Sequence, residues 1–142
     1  MKGQLIVNAG RMFVAVWLLS GLLAVSHAPG ATSSRAVQTD SGGGVTVKVT
    51  LLDSTGNGDL RFQVVLDTHS VNLDRYDLKK LAVLRDDAGK DHLPKTVEGK
   101  GSGHHRQSTL VFAKMANSTK RVELVIKEIA GVKERIFRWE SQ

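Results

Sequence analysis

The sequence predicts an all-β chain: one antiparallel β-sandwich of about seven short strands over residues 45–140, behind an N-terminal export signal. Three observations predict it. Apolar and polar residues alternate along short runs, turn-forming clusters separate the runs roughly every 8–12 residues, and no stretch past the N-terminus carries a long helical period. A small antiparallel barrel satisfies the same pattern and is the alternative.

The N-terminus reads as targeting, not fold. Lys2 and Arg11 supply positive charge, Met12–Val25 is apolar and uncharged, and small residues follow. That is the order of a secretory signal peptide, placed at residues 1–28. Ser26-His27-Ala28 offers a cleavage zone, with Ala28-Pro29-Gly30 and Ser34-Arg35-Ala36 as alternatives. The apolar run is shorter than the ~20 residues a transmembrane helix needs. An uncleaved anchor is the alternative, and the one route to a membrane. Export implies a periplasmic or secreted domain. Residues 29–44 (PGATSSRAVQTDSGGG) read as a flexible linker, too poor in apolar side chains to fold.

Charge excludes one class of partner. The chain carries a formal +6, but removing residues 1–36 takes three cations (Lys2, Arg11, Arg35) and no acid, leaving +3. The remaining charges are interspersed in sign, with no basic run beyond Lys79-Lys80, and Phe62, Tyr76, Phe112, Phe137 and Trp139 fall at core spacings instead of forming a stacking array. Nucleic acid is not the expected partner. With no cysteine, neither disulfides nor thiolate ligands are available, so the domain must hold together by its core.

The strands follow in order. Val45, Val47, Val49 and Leu51 alternate with Thr46, Lys48 and Thr50. Asp53–Asp59 is a turn that superficially resembles a calcium loop, but Thr55 and Val64 stand where acidic ligands belong. Leu60, Phe62, Val64 and Leu66 form the next inward face, which sets Asp67 and His69 on the opposite side. Val71–Tyr76 reads as a crossing between sheets. Leu78–Asp86 is apolar on both faces, a central strand with room for a helical turn at its start. Residues 91–98 form a short strand that Pro94 assigns to an edge. A glycine-rich loop, Gly99–Gly103, precedes the strand carrying Leu110 and Phe112. Asn117-Ser118-Thr119, a glycosylation-type triplet, sits in a polar loop. Residues 122–139 close the chain as a hairpin.

Four segments carry a resemblance: Val64–Asp74 (VVLDTHSVNLD), Leu81–Gly89 (LAVLRDDAG), Gly103-His104-His105-Arg106 with Leu110 and Phe112, and Arg135–Trp139 (RIFRW). Together they resemble a family of small exported prokaryotic proteins of unassigned function, with DTHSV-type and GGHH-type segments and a final FxW-like strand. The resemblance spans nearly all of the domain and implies a compact immunoglobulin-like sandwich. It brings no activity with it. Val97-Glu98 stands where the relatives carry a Trp before the acid, and Ser102-Gly103 replaces Gly-Gly. Without that Trp the site is expected to be more open.

The histidines carry the functional question. Imidazole and carboxylate suit copper or zinc, and His69, His104 and His105 with Asp67 make the candidate set. Glycine flanks would let both adjacent histidines converge. Arg106 opposes a cation and fits a salt bridge to Asp67 or an anionic ligand; with Glu98 it is a candidate for other contacts. The alternative is that the histidines only hold the loop by hydrogen bonds. His92 reads as a solvated edge residue. No G-x-S-x-G elbow exists, and no glycine loop opens a helix, so an enzyme is not expected. The sequence reading is a binding or accessory module, binding a metal or contacting another exported or envelope protein.

Overall fold

The computed structural model describes residues 37–52 and 58–140. The signal peptide, residues 29–36 of the linker and residues 53–57 of the calcium-like turn lie outside them. Among the described residues no helix is long and apolar enough to cross a membrane.

The chain is an all-β sandwich, as the alternation predicts, with nine strands among the described residues where about seven were expected. They are β1 (Gln38–Gly42), β2 (Val45–Leu51), β3 (Leu60–Thr68), β4 (Ala82–Asp86), β5 (Asp91–His92), β6 (Thr96–Ser102), β7 (His105–Phe112), β8 (Arg121–Ile129) and β9 (Val132–Glu140). A 3-10 turn, Leu73–Arg75, and one helical turn, α1 (Leu78–Leu81), lie in the crossing between β3 and β4. Sheet A runs β1-β2-β3-β7-β6 and sheet B runs β5-β4-β8-β9, with every pairing antiparallel.

The inward residues merge into one core. Val45, Val47, Val49, Phe62, Val64, Leu66, Leu110 and Phe112 come from sheet A; Ala82, Leu84, Val122, Leu124, Ile126, Phe137 and Trp139 come from sheet B. Phe62 meets Phe112 edge-on at 5.8 Å and Trp139 at 5.0 Å, so one aromatic spans both layers.

Two expectations are corrected. Residues 38–42, assigned to the linker, are a strand paired with β2. Nothing apolar there announces it; besides its ladder to β2, the strand is tied to side chains from the far end of the domain. Gln38 donates through Nε2 to the Arg138 carbonyl at 2.7 Å and accepts from the Arg138 N–H at 3.1 Å, imitating a ladder step onto β9. Arg135, 1 % exposed, donates to the carbonyls of Gly42 at 2.6 Å and Ile129 at 3.0 Å, and its Nε lies 2.9 Å from Asp40 Oδ1. Gly43 seals the same corner: its backbone is left-handed (φ 60°), and a Cβ there would sit 2.0 Å from the Ala130 carbonyl oxygen.

The second correction concerns residues 91–103. The single edge strand divides around a buried Pro94 into β5 in sheet B and β6 in sheet A, and the glycine loop is the second half of β6. Gly99 stays in register opposite Ser108, and a Cβ there would lie 3.1 Å from the Ser108 hydroxyl. Glycine here allows close strand packing, not a mobile loop.

The outer faces differ in kind. On sheet B, Val83, Val125 and Ile136 share a row beneath charged pairs: Arg85 with Asp91 at 2.7 Å, Lys127 with Asp91 at 2.9 Å, and Arg138 with Glu123 at 2.8 Å. On sheet A the rows read Ser41-Thr46-Asp67-His105-Ser102 and Thr39-Lys48-Val65-Gln107-Lys100, mostly short and uncharged.

Candidate functional site

The predicted residues gather at one end of sheet A. Strand β3 stops at Thr68, because its hydroxyl redirects the chain: Oγ1 donates to the Gly44 carbonyl at 2.6 Å and accepts from the N–H groups of Ser70 and Val71. His69 is therefore past the strand, exposed, and no longer in phase with Asp67.

Strands β6 and β7 join through a two-residue turn, Gly103-His104, with Ser102 opposite His105. Gly101 (φ 82°) and Gly103 (φ 66°) supply the left-handed backbone, and a Cβ at Gly101 would meet the His105 carbonyl at 2.3 Å. The crossing grips this turn from beside it. The Thr68 N–H donates to the His104 carbonyl at 3.0 Å, the Leu73 N–H to the Gly103 carbonyl at 2.8 Å, and the Gly103 N–H to Asp74 Oδ1 at 2.9 Å.

The adjacent histidines do not converge. His104 takes the turn; His105 stands on the outer face of β7, directly across from Asp67. Its Nδ1 lies 3.5 Å from Asp67 Oδ1, with the two side chains 64 % and 46 % exposed. That is an open, solvated pair worth well under ~1 kcal/mol. Among the described residues no group of three His, Asp or Glu side chains is arranged to hold a metal ion. Of the candidate ligands, His105 and Asp67 are the pair brought within reach of each other.

Arg106 has a different occupation from the one expected. Its Nη1 donates to the carbonyls of Leu73 at 2.6 Å and Tyr76 at 2.8 Å, tying the crossing to β7. Asp67 is not its partner. Tyr76 passes the tie onward, its hydroxyl accepting from the Ala130 N–H at 3.0 Å. Glu98 lies on exposed β6, beside a shallow depression that Gly99, Lys100, Gln107 and Thr109 also line.

His92 is held more firmly than an edge residue need be. Its Nε2 lies 2.9 Å from Asp86 Oδ2, while Asp86 Oδ1 accepts from the N–H groups of Ala88 and Lys90. The His92 hydrogen bond, then the Lys90 N–H, hold the Asp86 carboxyl below its ordinary value. Asp91 is lowered to about 2, chiefly by the Arg85 guanidinium and then by Lys127, against an opposing effect of burial. Both acids organise the β4–β5 hairpin.

The residue that sequence reasoning missed is Arg135. Its signal was present: it alternates in phase with Phe137 and Trp139, so the inward face of β9 had to contain a guanidinium. Comparison with models of known families, with curated proteins and with solved structures finds no match to this chain.

Proposed function

We propose that the chain is an exported, non-enzymatic interaction module that takes an extended segment of another polypeptide along β6. One observation carries this reading. Of the two edges of sheet A, among the described residues β1 is stitched to β9, whereas β6 presents seven residues of which all but Val97 are exposed. An open edge strand offers backbone donors and acceptors to an incoming strand, and the alternating side chains beside it add selectivity. The histidines, the DTHSV segment and Arg106 then serve as the frame that fixes the end of β6 and β7. Export follows from the N-terminal pattern and places the partner in the periplasm or outside the cell.

The test is a photo-crosslinking amino acid at Lys100, compared with one at Thr39 on the sealed edge. Adducts with a polypeptide at Lys100 only, with slowed hydrogen exchange of β6 amides in the complex, support strand addition. Equal adducts at both positions overturn it. A calorimetric titration with Cu(II) and Zn(II) addresses the other reading: tight stoichiometric binding lost in His104→Ala/His105→Ala would replace this proposal with a metal-handling one.

A further inference from the structure

The segment that fits β6 can be read from β6 itself, on the assumption that the edge accepts a strand as proposed above. Val97 packs against the core, so Thr96, Glu98, Lys100 and Ser102 share the outer face. Glu98 and Lys100 are two residues apart and exposed, and within the chain neither takes part in an ion pair among the described residues. Gly99 lies between them.

An antiparallel partner centred on Gly99 would put Gly99 opposite its own copy. The two charged outer-face positions then each meet a complement: Glu98 faces Lys100 and Lys100 faces Glu98. Directly opposed unlike charges stabilise an antiparallel pair, and like charges destabilise it. A parallel copy in register would set Glu98 on Glu98 and Lys100 on Lys100. The pattern is therefore self-complementary in one orientation, which is the condition for a closed two-fold interface.

We infer that β6 pairs with β6 of a second copy of this chain, antiparallel about Gly99, joining two five-stranded sheets into one. The lysine that discourages a random strand from adding to the edge becomes, against a second copy, half of a matched pair. The two shallow depressions beside Glu98 and Lys100 then adjoin across the seam.

The test uses the chain as its host processes it, in sedimentation experiments over a concentration series. The expected result is a monomer–dimer equilibrium. Glu98→Lys alone and Lys100→Glu alone should each weaken it about tenfold or more, and the double swap should restore it. Register is read separately. The chain has no cysteine, so Glu98→Cys mixed with Lys100→Cys should oxidise to a cross-linked dimer faster than either variant alone. Circular dichroism checks that each variant is folded.

A monomer at every concentration, or a double swap no better than the singles, overturns the inference. If that happens while Lys100 still photo-crosslinks to a different polypeptide, the second copy is discarded and strand addition stands. If neither the dimer nor any adduct forms, both readings fall.

Discussion

The two edges of sheet A are built on opposite plans. Strand β1 has no apolar side chain, yet it is sealed, because Gln38, Asp40 and Gly42 engage Arg138 and Arg135 of β9. Strand β6 is longer and carries two glycines to β1's one; the helical turn α1 comes near it, but among the described residues no hydrogen bond to sheet B closes its rim. A sheet edge can therefore be closed by a few polar groups placed well, without an apolar cover. Where those groups are missing, the edge remains a surface for something else.

Breaking the sealed edge should have the largest effects. Gly43→Ala requires a side chain in left-handed backbone against the Ala130 carbonyl, and should cost roughly 2–4 kcal/mol in urea denaturation. Arg135→Leu strips donors from the Ile129 and Gly42 carbonyls, and about 2–3 kcal/mol is expected, with faster exchange of β1 amides; the half-exposed Asp40 is left to solvent. Arg106→Ala frees the crossing from β7 and should cost about 1–2 kcal/mol while leaving β1 exchange unchanged.

The short edge of sheet B sharpens the comparison through pH. Asp91 on β5 titrates at about 2 in the folded chain, below its ordinary 3.8, so its contribution is complete above the ordinary value and is lost as pH falls towards 2. The stability gap between the parent chain and Asp91→Asn should close over that window. Smallest of all, Thr96→Ala on β6 should change monomer stability by less than about 0.5 kcal/mol. A larger loss would mean that β6 already carries structure within the single chain.

The strands with apolar alternation were legible: β2, β3, β7 and the β8–β9 hairpin lie where Val, Leu, Ile and Phe recur every second residue. Strand β1 was not, since Gln-Thr-Asp-Ser-Gly has no apolar alternation: its ladder to β2 and its ties to Arg135 and Arg138, about a hundred positions away, use polar groups that no periodicity shows. The division at Pro94 was hidden because both halves are polar, and only the layer each one joins distinguishes them. At the histidines, alternation put Asp67 and His69 on one face and grouped them with His104 and His105, but it could not say that Thr68 would end β3 and turn His69 aside, leaving His105 opposite Asp67.

The bond between Gln38 and Arg138 also constrains the order of folding. It closes a loop of nearly the whole described domain, and closure of so long a loop is entropically delayed until shorter contacts have formed. The β1–β2, β2–β3 and β8–β9 pairs are local and can assemble early. What is delayed is the closure of β1 onto β9, so substitutions at Gln38 should speed unfolding while leaving the refolding rate nearly untouched.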